Sequence, residues 1–232
     1  MRNTATDPTA ALALWSMVHD SAFPAGRMVH SHGLEEWLSA RPDADVSAIE
    51  TVVVAYLAHG YAPLDATITA AAWRAFPSTE RLSALDDLTS SYKLYDNART
   101  ASESTGRQLA RTAGQIGLVD GNPYFASVRA GTTAGHAAVV EGAMQAHIGV
   151  GVHIAVLGSL RSMFASMLSV AVRLGRLGPM QSQRIQVHHV ATVLDLTRDA
   201  CCRSLDDLSG TAPAMEISGM RHETHTARFF AT

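Results

Sequence analysis

The chain has 232 residues, a formal net charge of −3, and 17% charged against 47% hydrophobic residues. This length supports one sizeable core without disulfides or a structural metal, and its basic residues are scattered rather than clustered, which argues against nucleic acid as the main partner. Charged content below the ~25% usual for soluble domains points either to a surface partly covered by other protein or to an Ala-rich helical interior.

Arg2 is followed by no long apolar run before Asp7-Pro8, so no secretory signal is expected. Asp7 and Pro8 read as the N-cap and first residue of a helix carrying Ala11, Leu12, Leu14, Trp15 and Val18, which stops before Phe23-Pro24. Turn chemistry fills residues 20–26, and a helix is expected to open near Ser31, with Glu35 and Glu36 in its first turn, and to end at Arg41-Pro42-Asp43. Ser47 and Glu50 form a capping-box pattern ahead of the apolar run from Val52, with Gly60 closing that helix. Further helices are expected at about 63–76, 79–90 and 96–116, and Asn122-Pro123 starts a short one that ends at Gly131.

Residues 135–184 form the most apolar part of the chain and read as two long helices and the start of a third. No Asp, Glu, Lys or Arg occurs from Gly142 to Leu160, a length that fits a bilayer. Gln145, His147, His153 and the following Arg161 make a buried core the better reading, with no membrane. Leu160, Phe164, Met167, Leu168, Ala171 and Leu174 share one helical stripe. Ser162, Ala165, Ser166 and Ser169 form a second track of small residues that admits a close neighbour, marking a bundle centre or a homodimer seam. Gly178 breaks this helix, and Pro179 opens a long amphipathic one to about Leu208 with Val187, Val190, Leu194 and Cys201 on one stripe.

Cys201 and Cys202 are adjacent, too splayed on a helix for an easy bridge, which fits a reducing cytoplasmic compartment. Residues 209–232 sustain no period and read as an extended tail. No run alternates as a strand would, and no repeat is visible. The expectation is therefore all-α: a single-domain bundle of about ten helices over residues 1–232, with the tail at its C-terminus.

Chemistry of its own is hard to find in the chain. His30 and His32, His188 and His189, and His222 and His225 lack the further local ligands of a closed tetrahedral site. His222-Glu223-Thr224-His225 is one residue short of the H-E-x-x-H spacing that puts two rings on one helical face. No metal ligand or catalytic residue is assigned. The sole lysine, Lys93, follows Tyr92 and so belongs to no Walker A loop, and Gly149-x-Gly151 lacks a third glycine and a preceding strand. Any GTP or ATP chemistry is expected to sit in a partner.

Three separated segments carry a resemblance. Residues 20–26 with Phe23-Pro24, then His30-Ser31-His32-Gly33-Leu34-Glu35, are similar to the opening motif of the urease accessory protein UreF family, with Arg27 in place of the second glycine of its loop. Ala101-Ser102, Gly106-Arg107, Leu109, Gly135-His136, Val172-Arg173-Leu174, Leu177-Gly178 and Gln183-Arg184 add weaker matches. In the tail, Met220-Arg221-His222-Glu223-Thr224, then Arg228 and Phe230, resemble that family's Arg-His-Glu-Thr signature, although His225, Thr226 and Ala227 stand where Gln, Tyr and Ser are usual.

The resemblance implies a helical homodimer without an active site, which joins UreD (also called UreH), recruits the nickel-loaded GTPase UreG, and assists nickel delivery to apo-urease. Nickel and GTP then come through partners, with no cofactor bound directly. The residues implied to contact partners are Phe23, Pro24, His30, Ser31, Gly33 and Glu35 in the first motif, and Arg221, His222, Glu223, Arg228 and Phe230 in the tail. Both segments read as pieces ordered by binding. Simpler readings stay open: Gly33 as a close-packing position, Phe23 as core, Glu35 as a favourable first-turn charge. The alternative function is a small metal-dependent helical enzyme using tail His and Glu, or a protein that binds nickel directly.

Overall fold

A computed structural model describes residues 7–223 and 229–231, and among them no strand occurs. Asp7 caps α1 (Pro8–Val18) by accepting from the Thr9 amide at 2.8 Å. The chain turns through a short 3-10 segment, Arg27–Val29, and reaches α2 (Leu34–Ser39) by way of Gly33. The next helix, α3 (Val46–Tyr56), is capped by Asp45, whose carboxylate accepts from the Ala48 amide at 2.8 Å, and not by the expected Ser47. Asp45 stands directly before the first helical residue and is among the strongest N-caps.

Gly60 does not end this helix. The chain continues through a π-helix, Leu57–Ala66, straight into α4 (Thr67–Ala75), with Pro63 inside the run. A wider turn relieves the clash between a proline ring and the preceding turn of an α-helix. The carbonyls of His59 and Pro63 are taken up by the amides of Thr211, at 2.9 Å, and Ser209, at 3.4 Å.

Local chemistry sets the next elements as the sequence predicts. Ser78 caps α5 (Thr79–Tyr92), α6 (Asp96–Gln115) follows, and Asn122 caps α7 (Pro123–Ala130), which closes on Gly131 at φ +73°. The apolar centre forms α8 (Ala137–His147) and α9 (Val152–Arg173). Gly142 brings α8 against α4 so closely that a Cβ there would overlap the Thr69 carbonyl oxygen. Leu160, Phe164, Met167, Leu168 and Ala171 of α9 are buried in the cluster that also holds Trp37, Ile49, Val53 and Met215. Among the described residues α9 alone is long and apolar enough to cross a membrane, and 61% of its apolar span is covered by the rest of the chain.

Two expectations change beyond α9. The single helix expected from Pro179 is broken at His189 into α10 (Pro179–His188) and α11 (Val190–Cys202). The break resets the helical phase, so Val187, Val190 and Leu194 are 74%, 54% and 41% exposed, while Ile185, Val193, Ala200 and Cys201 pack inward. Both cysteines are free. Residues 209–232 are also not simply extended: α12 (Pro213–His222) packs on α2. Its buried face is Met215 followed by the small or polar Ser218, Gly219 and His222, a single apolar group that gives no period to read.

Candidate functional site

The two ends of the chain meet on one side of the bundle. Gly33, in the left-handed region at φ +85°, lets α2 start directly against α12. Two residues later Glu35 accepts three hydrogen bonds: from His222 Nε2 at 3.0 Å, from the Phe229 amide at 2.7 Å and from the Phe230 amide at 3.1 Å. The Ala231 amide donates to the Val29 carbonyl at 2.8 Å. Arg173, at the end of α9, donates to the Met28 carbonyl and places its guanidinium 4.4 Å from the Phe230 ring centre and 5.5 Å from that of Phe229, a cation–π arrangement. On the other flank Glu223 accepts from the Asn97 amide at 2.8 Å, in the first turn of α6, where a free helix N–H and the helix dipole both favour a carboxylate.

Behind this platform lies a polar interior. Arg27 donates to the Val18 carbonyl at 3.1 Å and pairs with Glu141 at 3.6 Å, while Lys93 Nζ holds both oxygens of Asp65 at 2.8 Å. These groups, with His32, Tyr56 and Tyr61, line a cavity of about 80 Å³. Burial, helped by the charges of His30 and Lys93, lowers the His32 pKa to about 3, and burial raises that of Glu141 against the pull of Arg27.

A sequence profile described as UreF matches residues 44–189. The chain belongs to the UreF family. It is 30% identical to the urease accessory protein UreF of Paenarthrobacter aurescens, over 96% of this chain and 98% of that protein. It is likewise 25% identical to the one from Roseobacter denitrificans, over 98% and 95%, and 27% identical to the one from Corynebacterium efficiens, over 97% and 98%. This is a family of accessory proteins, not of enzymes.

In this UreF-family chain the motif residues divide by burial. His30, Ser31, Gly33, His222 and Phe230, expected to touch partners, are buried; of these, Gly33, His222 and Phe230 hold the platform together. Phe23 is half-buried against the apolar cluster that includes Leu109, and Glu35 and Glu223 are partly covered. Pro24 and Arg221 are exposed; Arg228 lies outside the described residues.

Val29, Ile217 and Phe229, which no motif residue picked out, are 48%, 50% and 62% exposed around the same platform, beside Met220 of the tail signature at 42%. Ile217, Met220 and Arg221 follow i, i+3, i+4 spacing, a signal available only once α12 is recognised as a helix.

Arg27, where the family motif has glycine, supplies the internal counter-charge for Glu141, so the departure has a structural task. The small-residue track on α9 does admit a close neighbour, and part of it is taken by the chain itself. Ser162 Oγ meets His19 Nδ1 at 2.8 Å and Ser166 Oγ donates to the Arg27 carbonyl at 3.4 Å, while Ala165 and Ser169 are partly exposed in a groove shared with Asp20, Phe23 and Pro24.

Proposed function

We propose that this chain is a scaffold in urease maturation: a cytoplasmic homodimer that bridges UreD/UreH to the GTPase UreG and assists nickel delivery to apo-urease. Nickel and GTP come through the partners. The observation that carries this reading is the convergence of the two motif segments on one platform. A frame of the buried Gly33, His222 and Phe230 and the partly covered Glu35 fixes an outer face of Ile217, Met220, Arg221 and Phe229. Apolar side chains around an arginine on a rigid support are the composition of an interface hot spot, and exposing them without a partner is unfavourable.

The sole lysine is engaged by Asp65 inside the fold, which supports assigning GTP to a partner rather than to this chain. The alternative of a metal enzyme built on His222 and Glu223 is less well supported, because His222 is turned to Glu35 and Glu223 to the start of α6.

Co-expression with UreD and UreG, followed by pull-down and urease activity, tests the scaffold reading. Ile217→Asp with Met220→Asp places two carboxylates on the outer face and should abolish capture of at least one partner and leave urease poorly active. Capture of both partners at the parental level by this double variant would overturn it.

A further inference from the structure

Glu50, His188 and His189 bring one carboxylate and two imidazoles together, with their ligand atoms all within 4.8 Å of one another. They come from separate parts of the fold: Glu50 from the middle of α3, His188 from the last residue of α10, and His189 from the break between α10 and α11. Adjacent residues in a regular helix point about 100° apart and splay their side chains. Here His189 leaves helical geometry, at φ −96° and ψ 15°, and the two rings converge edge to face at 4.9 Å between centres. His189 Nε2 lies 2.7 Å from Glu50 Oε1, its Nδ1 lies 3.4 Å from Thr192 Oγ1, and its ring stands edge-on to Phe164 at 6.1 Å. The ring is thus oriented by three neighbours, with Nε2 aimed at the carboxylate, as a ligating histidine is oriented by the groups around it.

We propose that Glu50, His188 and His189 form a binding site for one divalent transition-metal ion of the zinc and nickel type. Bonds of about 2.0–2.2 Å to nitrogen and oxygen place neighbouring ligands roughly 3.0–3.5 Å apart. The Glu50–His189 contact must therefore open by a few tenths of an ångström, which a half-buried glutamate on a flexible stem accommodates by rotation. Two imidazoles select zinc, nickel or copper over magnesium and calcium, which take oxygen ligands. Three protein ligands leave at least one position for water or an incoming donor, the arrangement of an exchangeable site rather than a closed structural one. His188 is exposed, so the site opens to solvent. The carbonyl end of α10 adds a partial negative charge beside the ion. This site contains no residue of either motif segment and does not rest on the scaffold reading.

Titration of the purified, metal-stripped full chain with NiCl2 and with ZnCl2 by calorimetry tests it. One ion per chain should bind in the tightest phase, and the melting temperature should rise with added metal. Glu50→Gln and His188→Ala should each weaken that phase at least tenfold, and their melting temperatures should no longer respond. His153→Ala, which removes an exposed histidine elsewhere, should bind like the parent. His188→Ala takes away an exposed ring, so its metal-free melting curve should match the parent and separate loss of binding from loss of fold. Parental affinity in both Glu50→Gln and His188→Ala, or an equal loss in His153→Ala, would overturn the site.

Discussion

A Cβ on Gly33 would stand 2.9 Å from the Gly219 amide nitrogen and 2.5 Å from the Met215 carbonyl oxygen, so α2 and α12 touch backbone to backbone. Gly33 also sits at φ +85°. Gly33→Ala therefore meets both a left-handed conformation, disfavoured by about 1–2 kcal/mol for a residue with a Cβ, and an obstruction made of backbone that cannot rotate aside. The expected outcome is a loss of about 2 kcal/mol or more of stability, seen as a lower urea midpoint, with accelerated amide exchange over residues 213–222. A parental midpoint and parental protection would mean that α12 is not held on α2 in this way.

What was legible in the sequence was local. Asp7 and Asn122 announce helix starts because each cap bonds the amide two residues on, and both do so in the structure. The break at His189 and the passage of Pro63 through a continuous helical rod depend on groups far along the chain, among them Glu50 and the amides of Ser209 and Thr211. α12 escaped notice because Gly219 and Ser218 make its contact by closeness rather than by bulk. At the platform the resemblance singled out both Glu35 and His222. Nothing in the sequence joined them, since they are 187 residues apart and meet only through the fold.

Acid should weaken this protein through its buried histidines. The pKa values of His19, His32 and His136 are each lowered from 6.5 to about 3, by burial first and then by neighbouring positive charges: Arg27 and Arg161 for His19, His30 and Lys93 for His32, Lys93, Arg107 and Arg99 for His136. His136 is held neutral between Ser90 at 2.8 Å and Ser102 at 3.0 Å. As pH falls below 6.5 the unfolded chain takes up these protons and the native one does not. Stability is then intact above pH 6.5 and falls toward pH 3, by up to about 1.4 kcal/mol per pH unit for each histidine. Burial raises the pKa values of Glu141 and Asp86, which works in the opposite direction at the acid end of that window. Urea midpoints at pH 7.5, 6.5 and 5.5 should change little over the first step and drop over the second; a flat profile would contradict neutral burial of the three rings.

The groove on α9 separates two kinds of substitution. Ser166 is buried and bonded to the Arg27 carbonyl, so Ser166→Arg should displace the chain's own 19–29 segment and yield insoluble or unfolded protein. Ala165 is partly exposed beside it. If the proposed homodimer is formed along this groove, Ala165→Arg should melt like the parent yet run as a monomer by light scattering. A soluble dimer of unchanged mass would move the seam elsewhere, the exposed Val187, Val190 and Leu194 face of α10 and α11 being the next surface to vary.

Arg221 and Glu35 belong to one platform and should fail in opposite ways. Glu35 accepts from His222 and from the amides of Phe229 and Phe230; water can replace it at the exposed Phe229 amide, but the partly buried His222 and Phe230 donors lose their acceptor, so Glu35→Ala should destabilise the fold by about 1–2 kcal/mol. Any loss of partner capture in that variant is then secondary to a loosened frame. Arg221 lies on the exposed face of α12, beside Met220 and one turn from Ile217. Its removal should change the melting curve little, within the ~0.5 kcal/mol typical of surface positions. Binding should suffer far more, because a guanidinium presents five donors in a fixed planar fork that suits carboxylates and backbone carbonyls. Arg221→Ala should weaken capture of UreD and UreG by about 2 kcal/mol or more, and Arg221→Lys, which keeps charge but not the fork, by less. Quantitative pull-down of both variants against the parent, alongside thermal melts, distinguishes the outcomes. Parental melting with parental capture in Arg221→Ala would remove this residue from the docking surface, and a melting loss as large as that of Glu35→Ala would make it part of the frame instead.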